Sequence, residues 1–282
     1  MLRKLTVFLS FLLCMIVIVL GCGQGDKKVV LRYGYEQGLT LNYEQSFKRS
    51  VKVIEDDSII KDYSSDYRAT IVQEITKLYD DGSAALTEID TWFYKKPSGE
   101  DTTIMEEHEF KRKLKLKMRP DGKVLKVEFP DKESKSSISY IKNIYEQGMP
   151  VFPTEKISPD YSWTQTTNVK LPNGTMEAST TYRFQSVVKK NGYDCAVIEC
   201  DGNLIIPIEA EPDDSLMRTG VDQIQTTGKL YFAFKEGIVI LQQEQWLING
   251  DRTKNINGKK KNYKVDIRID TEFKLVKRAV VP

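Results

Sequence analysis

From residue 29 onward, apolar and polar residues alternate with a period of two over long stretches of the chain. In the last of these stretches one parity is polar (Lys264, Asp266, Arg268, Asp270) and the other holds Tyr263, Val265, Ile267, Ile269, Phe273 and Leu275. Successive side chains of a strand point to opposite faces, so the pattern predicts strands with one face toward a core and the other toward water. Such half-buried strands are typical of antiparallel sheets.

A second alternating stretch carries positive charge on its polar parity. Its apolar residues are Phe110, Leu114, Leu116 and Met118, and they alternate with Lys111, Lys113, Lys115, Lys117 and Arg119. This basic row could hold an anionic ligand, such as a phosphate-bearing lipid or an acidic polysaccharide. The alternative is the solvated side of an edge strand, where lysines prevent edge-to-edge pairing.

Turn residues separate these stretches. Leu31, Tyr33 and Tyr35 precede Glu36-Gln37-Gly38, and Leu39, Leu41 and Tyr43 follow it on one parity, which predicts a strand, a tight turn and a second strand. Seven further pairs predict turns, with glycine where a hairpin needs positive φ: Asp81-Gly82, Asp121-Gly122, Asn173-Gly174, Asn191-Gly192, Glu236-Gly237, Asn249-Gly250 and Asn257-Gly258.

One segment predicts a helix instead. Over 131–147, Ile138, Ile141, Ile144 and Tyr145 follow helical spacing, and Gly148 suits a C-terminal cap. Pro150, Pro153 and Pro159 then predict an irregular connector over 148–160.

The sequence therefore predicts an all-β body with minor α content, built as strongly curved antiparallel sheet or a half-barrel. The central helix and the connector suggest two similar lobes, 29–147 and 161–282. Glycine turns about 40 residues apart in each lobe indicate a duplication. One continuous, strongly curved sheet is the alternative.

The first 21 residues have a different character. Arg3 and Lys4 precede an apolar run from Leu5 to Leu20, which is shorter than the roughly 20 residues that span a bilayer as a helix. A positive start, an apolar middle and a small residue at the end are typical of an export signal that is later removed. We predict a signal peptide over 1–21.

The signal ends in Val19-Leu20-Gly21-Cys22, which resembles the lipobox of bacterial lipoproteins. That resemblance implies cleavage between Gly21 and Cys22, with lipid attached to the Cys22 thiol. Residues 22–28 would then be a lipidated tether. It also implies a location in the cell envelope, on a membrane facing away from the cytoplasm. Because Gly23 rather than aspartate follows the cysteine, the outer membrane is favoured in a Gram-negative source.

The net charge of the chain without its first 21 residues bears on the kind of partner we expect. Removing 1–21 takes away Arg3 and Lys4 and no acid, which leaves 40 basic and 40 acidic residues, so nothing in the global charge favours nucleic acid.

Cys195 and Cys200 lie five residues apart in one predicted strand, about 16 Å at full extension, which is too far for a disulfide between them.

Catalytic and metal-binding signatures are missing from the sequence. His108, the single histidine, has glutamates at 106, 107 and 109, a pattern that a solvated strand with cross-strand ion pairs explains as well as a metal site does. There is no HExxH, GxSxG or phosphate-binding loop. We therefore expect no metal, no cofactor and no enzymatic activity, with a hydrolase of envelope polymers as the less favoured alternative.

In overall pattern the body is similar to the periplasmic lipoprotein-carrier and lipid-binding proteins, whose curved antiparallel sheet encloses an apolar cavity beneath lid helices. The similarity is architectural and rests on no shared motif, and those proteins have several lid helices where this sequence predicts one. It also resembles β-rich envelope lipoproteins without a known activity. The resemblance implies binding of an apolar or amphipathic ligand or of a protein partner. A structural or assembly component of an envelope complex is the alternative.

Overall fold

In the computed structural model, eleven long strands form one antiparallel sheet. The structure describes residues 28–98, 101–130, 142, 145, 149–171, 174–208, 219–256 and 259–280. The strands are β1 (Leu39–Glu55), β2 (Ser58–Leu78), β3 (Ala84–Ser98), β4 (Asp101–Met118), β5 (Val124–Glu128), β6 (Ser162–Leu171), β7 (Gly174–Lys190), β8 (Tyr193–Ile208), β9 (Thr219–Ala233), β10 (Ile238–Ile256) and β11 (Lys259–Val280).

The order of strands across the sheet is β5-β4-β3-β2-β1-β11-β10-β9-β8-β7-β6, and the sheet does not close. The prediction of an all-β antiparallel body is confirmed. Each strand pairs with its sequence neighbour except at the centre, where β1 pairs with β11 over its whole length, from Leu39 opposite Val280 to Glu55 opposite Tyr263. One continuous sheet therefore contains the strands of both predicted lobes.

The glycine turns are confirmed at Gly82, Gly122, Gly192 and Gly237, which all have positive φ. The turn predicted at Asn249-Gly250 is wrong, because both residues lie within β10. A side chain at 250 would collide with Asp222, which is paired with Arg252, so the glycine makes room for an ion pair rather than for a turn. Asn173 and the turn at 257–258 lie outside the described residues.

The first predicted strand, around Leu31 to Tyr35, is also wrong. This segment lies outside the sheet, with one bridge between Val29 and Ile157. Its amides instead bond to turns: Tyr33 N donates to the Pro120 carbonyl and Gly34 N to the Gly237 carbonyl. The apolar side chains of the segment cover the core rather than extend the sheet.

The core occupies one face of the sheet near one end of the strands. Segments 28–38 and 149–161 cover it, with Leu31 and Ile157 each 1% exposed and Phe152 2% exposed. Tyr33 packs on Phe152 and Phe232 at centroid distances of 5.4 and 5.3 Å. We call this face the core face and the other the opposite face. The strands continue well beyond the covered region.

The predicted helix over 131–147 lies almost entirely outside the described residues. Lys142 and Tyr145, which are described, are helical. No helix is among the elements of the described chain, so the helix itself stays a prediction.

Candidate functional site

Beyond the core, apolar side chains form a row across seven neighbouring strands of the core face. The strand registers place the first six of these residues directly opposite one another, and the seventh lies one residue beyond the pair of Ser179 with Asn203 that ends the β7–β8 ladder. In sheet order from β2 to β7, the apolar row consists of Tyr63, Val51, Ile267, Ile248, Ile224, Leu204 and Ala178. Six steps of about 4.8 Å give the row a length of about 29 Å along the sheet.

Most of the apolar row is only partly shielded from water. Tyr63 is 47% exposed, while Ile267, Ile248, Ile224 and Leu204 are half-buried. Among the described residues, the buried core cluster does not include this row, and within the row only Val51 is itself buried, at 5% exposed. A partly exposed apolar surface across several strands is the kind of surface that binds a ligand or partner.

The opposite face at the same level is mainly polar, although Leu247 there is half-buried and Ile205 is an exposed apolar residue. In β9, for example, Gln223 and Gln225 are exposed on either side of half-buried Ile224. The alternation that the sequence predicts thus continues where the core does not reach. The apolar row is a property of one face and not of unpacked strands in general.

One arginine lies next to the apolar row on the core face. Arg49 precedes Val51 by two residues on β1, and its register partners are Ser65 of β2 and Ile269 of β11. The Nε of Arg49 and the hydroxyl of Ser65 are both buried and have no hydrogen-bond partner. These two polar groups therefore face each other with hydrogen-bonding capacity unused.

A charged cluster lies within the core, on β2, β3 and β4. Asp90 pairs with Arg112, and Gln73 donates to Glu88 at 2.6 Å. The hydroxyl of Tyr145 donates to the other oxygen of Glu88. Glu88 and Asp90 are 2% and 1% exposed, so this cluster is part of the interior.

The two carboxylates differ in their environment. Burial, followed by repulsion from Asp90, raises the pKa of Glu88 to about 7. Arg112 balances one negative charge of the pair. At neutral pH the cluster therefore holds its second carboxylate close to its titration point.

Sequence analysis missed this cluster and Arg49, although parity gave a signal. Glu88 and Asp90 share the parity of Leu86 and Trp92, and Arg112 shares that of Leu114. Arg49 likewise shares the parity of Phe47, Val51 and Val53. Charged residues at core-parity positions of a strand are the pattern that would have found them.

The basic row lies on the opposite face of β4, as its parity predicts. Lys111, Lys113, Lys115 and Arg119 are exposed and Lys117 is half-buried. Lys111 pairs with Glu109 at 2.9 Å, and the Lys117 ammonium lies 4.2 Å from the centre of the Tyr79 ring. β4 pairs with β5 only over Lys115–Met118, so much of β4 has one open edge in the described sheet. Binding of an anionic ligand to this row stays a prediction.

A concave region lies mainly on the opposite face, between β1 and β6. It is a groove of about 920 Å³ with a polar lining. Arg183, Glu199 and Lys229 line it, and Lys229 pairs with Glu199 at 3.1 Å. Its lining has three basic and five acidic side chains, so acidic groups outnumber basic ones in the groove.

The remaining candidates from the sequence are separate from these surfaces. His108 stacks on Tyr94, with ring centroids 5.6 Å apart. Among the described residues, no cluster of three or more His, Cys, Asp or Glu side chains could hold a metal ion. Cys195 and Cys200 are both free thiols, which confirms that they do not pair with each other.

Gly21 and Cys22 lie outside the described residues, and lipid attachment there stays a prediction. Across the part of the chain that the structure does describe, no helix is long and apolar enough to cross a membrane.

Residues 132–230 match a protein family described as a family of unknown function, DUF6263. The match covers about a third of the chain. It runs from the region of the predicted helix into β9, and so includes Ala178, Leu204 and Ile224 of the apolar row. No curated protein matches the sequence.

Proposed function

We propose that this protein is a non-enzymatic lipoprotein of the bacterial cell envelope that binds an amphipathic ligand on the core face of its sheet. The observation that carries the proposal is the apolar row, which crosses seven strands and remains partly exposed beyond the core. The exposure of apolar surface to water is unfavourable by a free energy of about 25 cal/mol per Å². An apolar chain lying along the row would remove much of that cost.

A curved sheet is part of the proposal. The groove on the opposite face touches side chains of both β1 and β6, which are six strands apart in the sheet order. A flat sheet would hold these strands about 29 Å apart, so a groove of this volume supports a strong bend. The groove makes the opposite face the concave one between β1 and β6, so it supports curvature of the sheet but not a cavity over the apolar row.

Tyr145, from the segment predicted to be a helix, lies beside the charged cluster of the core face. Tyr145 donates its hydroxyl to buried Glu88, which supports a position for this part of the chain against the core face.

The lipid anchor places this site at a membrane. Val29 is 5% exposed and belongs to the core, so the proposed tether ends where the folded body begins. Residues 23–28 reach at most about 20 Å when extended. A lipidated Cys22 would therefore keep the sheet within a short distance of the bilayer surface, where amphipathic ligands are abundant.

Mass spectrometry of the full chain, purified from membranes and extracted with organic solvent, tests both parts of the proposal. We expect a lipid modification at Cys22 and a co-extracted amphiphile. Ile248→Gln should reduce the co-extracted amphiphile several-fold. Leu247→Gln is the matched control, because Leu247 is the adjacent residue on the opposite face and is also half-buried.

Two results would contradict the proposal separately. An unmodified Cys22 would contradict the proposed lipid anchor. An extract without any amphiphile, or equal loss of amphiphile in the two variants, would contradict the proposed ligand site.

The second candidate function is a structural or assembly component that docks other envelope proteins through its sheet edges. The observation in its favour is that the sheet ends at β5 on one side and β6 on the other without closing. An exposed strand edge can accept a strand from a partner. Crosslinking in cells distinguishes the two candidates: one stoichiometric protein partner favours assembly, and co-purified lipid favours ligand binding.

A further inference from the structure

Arg49 lies on β1, beside the central strand β11 of the sheet and next to the apolar row. Its neighbours on the core face are Phe47 and Val51 on the same strand and Ser65 and Ile269 across it. None of these four side chains carries a charge. Arg49 is half-buried among them and its Nε is buried, so this end of the side chain is partly removed from water without receiving a compensating carboxylate from these neighbours.

The lack of a partner sets Arg49 apart from several other arginines of the sheet. Arg112 pairs with Asp90, Arg252 with Asp222 and Arg268 with Asp270. No hydrogen bond or ion pair joins Arg49 to another of the described residues, and its buried Nε is unpartnered.

The unused donors point toward the chemistry of a ligand. A buried polar group without a partner is unfavourable, and more so when it is charged. The planar guanidinium of arginine binds carboxylate and phosphate groups through two parallel hydrogen bonds. The hydroxyl of Ser65, in register with Arg49 and also unpartnered, can donate a further hydrogen bond to the same anion.

We propose that Arg49 and Ser65 form the head-group site for an anionic amphiphile, whose carboxylate or phosphate binds the guanidinium while its acyl chain lies along the apolar row. This inference rests on the proposed ligand-binding function and adds the charge of the ligand. It requires the core face to prefer an anionic amphiphile over a neutral one of the same chain length.

Photocrosslinking to the full chain in lipid nanodiscs tests the inference. The probes are a fatty acid with a diazirine in its acyl chain and the fatty alcohol with the same chain. Labelling of peptides from β1, β10 and β11 is quantified by mass spectrometry against probe concentration. We expect the acid to reach half-maximal labelling at a concentration about tenfold below that of the alcohol, as one charge-assisted hydrogen bond would give.

Arg49→Gln should abolish the preference for the acid and leave labelling by the alcohol unchanged. Arg49→Lys, which keeps the charge, should restore part of the preference. Arg268→Gln is the matched control: Arg268 lies on the neighbouring strand, opposite Ser50, and faces the other way. The melting temperature of each variant shows whether it is folded.

The outcomes separate the two proposals. If the wild-type protein is labelled equally by acid and alcohol, or if Arg49→Gln keeps the preference for the acid, the anionic head-group site is wrong while ligand binding stands. If a folded wild-type protein is labelled by neither probe on the core face, the ligand-binding function is wrong as well. Loss of preference in Arg49→Gln alone supports the inference.

Discussion

Asp90 and Arg112 lie directly opposite each other on β3 and β4, and the Oδ2 atom of Asp90 accepts hydrogen bonds from both Nε and Nη2 of the arginine. The Asp90 side chain is 1% exposed and that of Arg112 is 14% exposed, so water screens the pair very little. The Oδ1 atom of Asp90 has no partner at all. The pair is therefore sensitive to loss of either member.

Arg112→Met should destabilise the fold strongly, because it leaves a buried carboxylate without its counter-charge. We expect a loss of about 3–5 kcal/mol in the free energy of unfolding, measured by urea denaturation of the full chain in mild detergent. Arg268→Met is the control, since its ion pair with Asp270 is exposed and should contribute under about 1 kcal/mol. Equal losses in the two variants would contradict the buried ion pair.

Glu88 should make the stability of the protein fall as pH rises toward neutrality. Burial and Asp90 raise its pKa from 4.5 to about 7, so the folded state binds a proton more tightly than the unfolded state does. Between about pH 4.5 and pH 7 the favourable contribution of this proton is lost, by at most about 1.4 kcal/mol per pH unit. Glu88→Gln cannot titrate and should lack this part of the slope.

Urea unfolding of wild-type protein and Glu88→Gln at several pH values between 4.5 and 8 checks this prediction. The difference in unfolding free energy between the two proteins should shift in favour of the variant as the pH rises. Parallel curves across the whole range would show that Glu88 ionises as an ordinary carboxylate.

Gly228 of β9 should tolerate no side chain. A Cβ atom there would lie 2.7 Å from the Cys200 sulfur and 2.9 Å from Cγ of Glu244, both on neighbouring strands. We expect Gly228→Ala to cost about 1–3 kcal/mol through overpacking. Gly202→Ala is the control: its nearest contact is a Thr180 hydroxyl at 3.0 Å, which a change of rotamer relieves. Thermal unfolding that ranks the two variants in the reverse order would contradict the packing.

Cys195 and Cys200 should resist alkylation in the folded protein. Burial raises the pKa of Cys195 to about 11 and that of Cys200 to about 12, so the nucleophilic thiolate is scarce at pH 8. Iodoacetamide labelling followed by mass spectrometry should modify neither in native protein and both after denaturation. If Cys22 is lipidated and residues 1–21 are removed, denatured protein will show two reactive thiols, against four in an unprocessed chain.

The strands were predictable because each carries its own alternation of apolar and polar residues. The register between the strands could not be predicted from the sequence, since it depends on pairings such as Val51 with Ile267, which lie more than 200 residues apart. The apolar row exists only in that register. The segment around Tyr33 alternates like a strand and yet covers the core, because its amides bond to turns instead of to a neighbouring strand.

The same limit applies to the site itself. Arg49 and Arg112 interrupt apolar parities and could be recognised as unusual from the sequence. Arg112 lies opposite Asp90, and Arg49 lies opposite Ser65. These pairings depend on which strands are neighbours in the sheet. The alternation within one strand shows which face a charged side chain lies on. It does not show which side chains of the neighbouring strands it contacts.

The pairing of β1 with β11 has a consequence for the order of folding. The strands from β1 to β5 pair with their sequence neighbours, and so do those from β6 to β11, so each half of the sheet can form from local contacts. The central pairing joins residues as distant as Leu39 and Val280, and such contacts form slowly because they close a long loop. The two halves can therefore unite only when the last strand of the chain is available. Until then each half exposes a long unpaired edge that favours aggregation, which makes assembly after complete synthesis the safer route for this fold.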